Sequence, residues 1–405
     1  MFLNRYLNWL FSSHPLLTHH LIWLPRSHPH HAPSIGSEAS EAQKLTPTED
    51  NTAVVPVISQ DVIYEIVDHL VTDAYFKPTL LSCSLISKSW ITPCQRYLFQ
   101  TLSFSLRDTF RWLEVFPVPE QSPAHHVKYL SLSLEGSYFV PDEFFERIQL
   151  FINLKEIVLL GEGSQGQSWW IPSSAMLPQS VTSLTIIRGN LSLSEIRNVM
   201  AQLPNLNDLT LSVSFRTRNG LQGFGRNLKG KFGGRLQLHR LRMGPDADIA
   251  NMLLEIPTGL HFTEIVIEGT SWCLLSTVKL AQVCSKTLVK LSYTVDNYGS
   301  FEAPRRSFDF AQLPNLKEMN FAVKWLTGDL LWIPTALSTI KPVTSPHLSS
   351  IRLSFSGRDL QEIPPHPRER LINELTVIGE DAARIEREFA GILDLTVVWY
   401  PGFEH

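Results

Sequence analysis

From residue 99 onward the chain repeats one short pattern: an apolar residue, two variable residues, an apolar residue, one variable residue and a third apolar residue. The middle apolar position falls at Leu102, Leu130, Ile157, Leu184, Leu209, Leu241, Ile265, Leu291, Met319, Ile351, Leu375 and Leu395, at intervals of 20 to 32 residues. In a chain that is 43% apolar such a triplet arises by chance in ~8% of windows, so the spacing carries the signal rather than any single match. LPNLNDLTLS at 203–212, LPNLKEMNFA at 313–322 and FINLKEIVLL at 151–160 are near copies. Alternation inside each unit predicts a short strand. Residues of helical period lie between several of them. Phe144, Phe145 and Ile148 follow Pro141, and Ser192 with Glu195 has capping-box spacing before Ile196, Val199, Met200 and Leu203. Asp246 opens another helix through Ile249, Leu253 and Ile256, and Ile385, Phe389 and Ile392 mark the last.

Ahead of this array the period changes. Ile58, Val62, Ile63, Ile66, Val67 and Leu70 recur in three- and four-residue steps, the mark of a helix with one covered face. Ser59 is placed to cap it, and Asp61 puts an anion in the first turn, where the helix dipole favours one. A second apolar helix runs through Leu80, Leu81, Cys83, Leu85 and Ile86, and a third carries Arg96, Tyr97, Leu98 and Phe99. Three short helices make little core alone, so residues 54–103 read as a module that needs a neighbour. Residues 1–53 have no acid before Glu38 and then turn to Ser, Pro, Ala, Glu and Thr. They read as a disordered leader, with a targeting segment as the alternative.

A strand and a helix every 20–29 residues is the arithmetic of leucine-rich repeats. The resemblance implies an α/β fold in which a short three-helix module precedes an irregular leucine-rich repeat solenoid, a horseshoe, over residues 104–405. No asparagine recurs after the strands, so no asparagine ladder is expected there. A doubly wound α/β domain is the rival, and it would need fewer, longer strands with a ligand loop at a switch point.

The helical module resembles an F-box of the type common in basidiomycete fungi, through ISQDVIYEIVDHL at 58–70, LLSCSLISKSW at 80–90 and QRYLF at 95–99. It departs at Ser59, where the motif has proline. The resemblance implies docking on the adaptor subunit of an SCF-type cullin–RING ubiquitin ligase, and through it on a cullin. The matching apolar positions are Ile58, Val62, Ile66, Leu70, Leu81 and Trp90, in a helix-in-groove mode. The implied function is substrate recognition for that ligase, with the repeat array holding a target protein. The alternative is a leucine-rich repeat interaction scaffold without ligase association. A cytoplasmic or nuclear location goes with either.

Charge and chemistry refine this reading. The chain has 35 basic and 39 acidic residues, a net charge of −4, which excludes a chain-wide nucleic-acid binder. No run reaches the ~18 apolar residues that cross a membrane. The four cysteines form no C-x-x-C and no secreted framework, so reduced thiols are expected. Between Arg216 and Arg242 stand eight cations and no acid, within a glycine-rich insertion. Arg226, Lys229, Lys231 and Arg235 are its target-binding candidates, for an acidic or phosphorylated segment. Gly225 to Lys231 spells the start of a phosphate loop, but Phe232 stands where a magnesium-binding hydroxyl is required. That loop is the sole support for an enzyme on an α/β domain. His125–His126 has no ligand partner at suitable spacing, and Trp169, Trp170, Trp325 and Trp332 are candidate target anchors. No catalytic residue, metal or cofactor is expected.

Overall fold

Capping and apolar period shape the first helix. Ser59 Oγ accepts from Val62 N at 3.4 Å and starts α1 (Gln60–Leu70). A computed structural model describes residues 58–72, 76–133, 142–161, 177–187, 193–212, 238–244, 247–256, 259–269, 274–296, 308–324, 330–357, 365–389 and 391–401. The chain divides into two compact units, residues 1–100 and 101–405.

In the first unit α1 packs on α2 (Phe76–Ser84) and α3 (Lys88–Leu98). Ile63 and Val67 of α1 share a buried interior with Leu80, Leu81, Trp90, Cys94, Leu98 and Phe99. Two polar clasps join the first and third helices: Gln60 Nε2 donates to Ser89 O at 3.0 Å, and Tyr97 OH donates to Asp68 Oδ1 at 2.6 Å.

The second unit holds an 11-stranded sheet in which every strand pairs parallel with its neighbour in chain order. The first five strands are β1 (Thr101–Phe104), β2 (Tyr129–Ser133), β3 (Glu156–Leu160), β4 (Ser183–Ile187) and β5 (Asp208–Ser212). They continue as β6 (Arg240–Met243), β7 (Glu264–Gly269), β8 (Lys290–Asp296), β9 (Glu318–Lys324), β10 (Ser350–Gly357) and β11 (Asp394–Pro401). The connections carry α4 (Leu106–Val115), α5 (Asp142–Ile148), α6 (Leu193–Ala201), α7 (Ala247–Leu254), α8 (Leu274–Val283), α9 (Trp332–Leu337) and α10 (Pro365–Glu388).

Two apolar rows run across the sheet. Leu102, Leu130, Ile157, Leu184, Leu209, Leu241, Ile265, Leu291, Met319 and Ile351 are in register and buried. The row two residues further on, from Phe104 through Tyr293 and Phe321 to Leu353, is buried as well. Because side chains alternate across a pleated strand, the intervening residues form the opposite, solvent-facing side. Aromatic rings thicken the core at two places. Trp112 sits 5.4 Å from Phe104 and 5.9 Å from Phe151, and Phe321 lies 5.3 Å from Trp332.

This topology corrects the expected leucine-rich repeat horseshoe. What forms is one parallel 11-stranded sheet with connecting helices, an α/β architecture. Register-equivalent positions lie from 24 residues (Leu241 to Ile265) to 44 residues (Ile351 to Leu395) apart, and the connecting helices differ in length and type. Leu375, expected to centre a strand, lies inside the 24-residue helix α10. The doubly wound rival is not realised either, because the strand order never reverses and creates no switch point.

Asparagines do brace the array, but ahead of the strands. Asn153, Asn205 and Asn315 donate through Nδ2 to the carbonyls of His125, Gln179 and Lys286, at 2.6, 2.8 and 2.7 Å. Each joins one strand approach to the preceding one, a bond worth about 1 kcal/mol. At other approaches hydroxyls serve instead, as where Thr263 Oγ1 donates to His239 O at 3.0 Å.

Candidate functional site

Two surfaces stand out, one in each unit. In the first, α1 is apolar on two adjacent stripes. Ile63 and Val67 turn inward, one stripe over Val62 and Ile66 are 44% and 36% exposed, and Ile58, just before the helix cap, is 50% exposed. Val62 and Ile66 lie one turn apart on α1, and Ile58 stands just ahead of the cap Ser59, outside the helix. Leu85 and Ile86, in the turn after α2, are exposed too. Of the six predicted adaptor-facing residues, Ile58, Val62 and Ile66 therefore lie on the surface, and Leu70 is half-buried. Leu81 and Trp90 are buried and hold the helices together. Sequence did not separate the two groups, because all six positions are apolar and exposure depends on how the helices pack.

The second surface is the solvent-facing side of the sheet. At the first register position Arg240, Glu264, Lys290 and Glu318 alternate in sign across β6 to β9. They pair along the row: Arg240 Nε to Glu264 at 3.4 Å, Lys290 Nζ to Glu264 at 3.6 Å and to Glu318 at 3.3 Å. The hydrogen bond to Glu318, and then the charge of Glu264, hold the Lys290 ammonium above the usual lysine range. Arg242 pairs with Glu268 at 2.7 Å. Being largely exposed, these pairs set the charge pattern of the face more than its stability. Beside the ladder is a depression of about 280 Å³, lined among others by Glu264, Lys290, Ser292, Asn320 and Arg352. Asn320 Oδ1 is buried there without a hydrogen-bond partner. On β2 to β4 the face is different: Tyr129 is exposed, and Val158, Leu160 and Ile187 are half-buried. The face thus offers an apolar half and a charged half. Charged residues at the variable positions of Arg-Leu-Arg-Met and Glu-Ile-Val-Ile-Glu were the available sequence signal for it.

Arg226, Lys229, Lys231 and Arg235 lie outside the described residues, as do the whole Gly225–Lys231 segment, Trp169, Trp170, Trp325 and Cys273. Trp332 is buried against Phe321 and Tyr293 and belongs to the core. The His125 and His126 rings lie 3.9 Å apart, in a 3-10 turn before β2. Among the described residues no group of three His, Cys, Asp or Glu side chains is arranged to hold a metal, and no helix is long and apolar enough to cross a membrane.

Burial pushes the Cys94 thiol up to about 12 and the Cys284 thiol up to about 11. Both are expected to resist alkylation by iodoacetamide in the folded protein at mildly alkaline pH and to react on unfolding, as mapped by peptide mass. Because the unfolded thiols ionise first, stability falls as pH rises from the ordinary thiol value of 9.0 toward these raised ones. Rapid labelling of Cys94 in the native state would contradict its burial.

No protein-family model matches the chain, and no curated protein matches it significantly.

Proposed function

We propose that the chain is a substrate-recognition subunit of an SCF-type cullin–RING ubiquitin ligase. Its helical unit docks on the adaptor, and the solvent-facing side of the sheet holds a target protein. The observation that carries the reading is the exposed aliphatic pair Val62 and Ile66 on a helix whose neighbouring stripe already builds the unit's interior, with Ile58 exposed just before the helix cap. Aliphatic anchors four residues apart fit the apolar pockets of a partner groove, and their transfer from water drives association. Ser59, where the related motif has proline, still starts the helix, through its own hydroxyl.

In this reading the chain makes and breaks no bonds. It raises the local concentration of the target beside a bound ubiquitin-conjugating enzyme, which turns a bimolecular encounter into an intramolecular one. The charged and apolar halves of the sheet face supply orientation and anchoring in turn.

Co-expression of the full chain with the SCF adaptor, followed by purification on a tag carried by the chain, tests the reading. The wild type is expected to retain the adaptor. Val62→Asp with Ile66→Asp is expected to weaken retention by about 100-fold or more, since two central apolar anchors are replaced by charges. Both positions are exposed, so far-ultraviolet circular dichroism should be unchanged. Absence of the adaptor from the wild-type complex, or equal retention by the double variant, rules the reading out in favour of an interaction scaffold without ligase association.

A further inference from the structure

The two ends of the sheet are finished differently. At β1 the apolar rows are closed, with Leu102 4% and Phe104 0% exposed. They remain closed through β10, where Ile351 and Leu353 are both 0% exposed. At β11 the same rows open: Leu395 is half-buried, Val397 is 53% exposed, and Ile392 just before the strand is 80% exposed. Among the described residues no strand pairs with the outer edge of β11, so its backbone donors and acceptors face outward along an eight-residue strand. Natural sheets guard such edges with lysine, proline, a bulge or a very short strand. β11 has a proline only at its last residue, Pro401, and Leu395 to Tyr400 ahead of it reads LTVVWY, without lysine or proline. An uncharged run of β-branched and aromatic residues beside an unpaired edge is a strand-pairing surface.

We propose that this edge is the interface between two copies of the chain, with the β11 strands antiparallel about a two-fold axis. The proposal does not depend on the ligase reading. The occupant follows from self-complementarity. An axis perpendicular to the sheet keeps the apolar rows of both copies on one side, and directly opposed residues of an antiparallel pair share a face. Opposed residue numbers must therefore sum to an even value. A register centred on Val397 satisfies this and sets Val397 against itself at the open end of the core. It also sets Asp394, the strand's one charge, across from Tyr400 and not across from the second Asp394, so no like charges meet. The dimer then continues the apolar rows across the axis and withdraws Val397 from water.

Light scattering of the full chain after size exclusion, repeated across micromolar concentrations, tests this. The wild type is expected to be dimeric. Val397→Lys, which opposes two ammonium groups at the axis, is expected to be monomeric, with its dissociation constant raised by about 100-fold or more. Val397→Cys is expected to give a covalent dimer on mild oxidation, since opposed residues of an antiparallel pair lie within disulfide reach. A wild type that stays monomeric overturns the proposal, and so does a dimer that Val397→Lys leaves intact. Should Val397→Lys fail to fold, as seen by circular dichroism, crosslinking through Val397→Cys decides.

Discussion

Phe321→Ala is expected to destabilise the sheet unit by about 4 kcal/mol, near the upper end for loss of a buried aromatic side chain. Phe321 is 1% exposed on β9, and four rings surround it: Trp332 at 5.3 Å, Phe308 at 5.5 Å, Phe310 at 5.8 Å and Tyr293 at 6.4 Å. These come from a neighbouring strand, the segment before β9 and helix α9, so one truncation loosens three parts of the structure at once. Edge-to-face and tilted ring pairs add about 0.5–1.5 kcal/mol each beyond area burial, and the cavity left behind cannot collapse without moving backbone. Phe321→Leu keeps much of the volume and is expected to cost about 1–2 kcal/mol. Urea unfolding followed by tryptophan fluorescence and circular dichroism measures both. A loss below about 1 kcal/mol for the alanine variant would contradict close packing at this site.

Glu374→Ala is expected to cost about 3 kcal/mol, and Glu374→Gln about half as much. Glu374 is a buried carboxylate in α10, with a side chain 5% exposed. Its Oε2 accepts from Leu330 N at 2.9 Å and its Oε1 from Arg370 Nε at 2.8 Å. Leu330 itself is fully buried, so losing the carboxylate strands a backbone donor away from water. Two turns and more along the same helix, Arg384 donates to Leu337 O at 2.9 Å and to Ile340 O at 3.3 Å, at the far end of α9. An anion at the start of the short helix and a cation at its end complement the helix dipole. Helix α10 therefore clamps α9 at both ends. The variant is expected to raise hydrogen exchange first around Leu330 to Leu337, whereas uniform exchange through the unit would show that Glu374 holds no local contact in particular.

The clamp also explains an error of sequence reading. Around Leu375 the residues Leu375, Val377 and their β-branched neighbours alternate as a strand would. The helical stripe that prevails is Leu371, Glu374, Ile378, Ala382, Ile385 and Phe389, all buried. One member is a carboxylate and another is alanine, so a search for apolar residues alone does not see it. The asparagines were overlooked for a similar reason. They precede the strands, at Asn153, Asn205 and Asn315, and their purpose shows only when each is matched with a carbonyl one connection earlier.

The surface positions among the proposed adaptor contacts were half legible. The resemblance marked Ile58, Val62, Ile66 and Leu70 together with Leu81 and Trp90, but exposure is a property of packing and divides them. The charge ladder of Arg240, Glu264, Lys290 and Glu318 is spread over about eighty residues of sequence and becomes a row only through strand register.

The sequence by itself located all eleven strands of the sheet, with one false addition at Leu375, because alternation of period two is a local fact about a few consecutive residues. It likewise determined the three helices Gln60–Leu70, Phe76–Ser84 and Lys88–Leu98, through their apolar period and the cap at Ser59. Tertiary structure alone decided that eleven strands pair in one parallel order, that Leu375 belongs to a helix, and which aliphatic stripe of α1 meets water. It also decided that the apolar rows close at β1 and open at β11. Those outcomes depend on pairing between segments tens of residues apart, where the energy of a side chain is set by its neighbours in space and not by its own type.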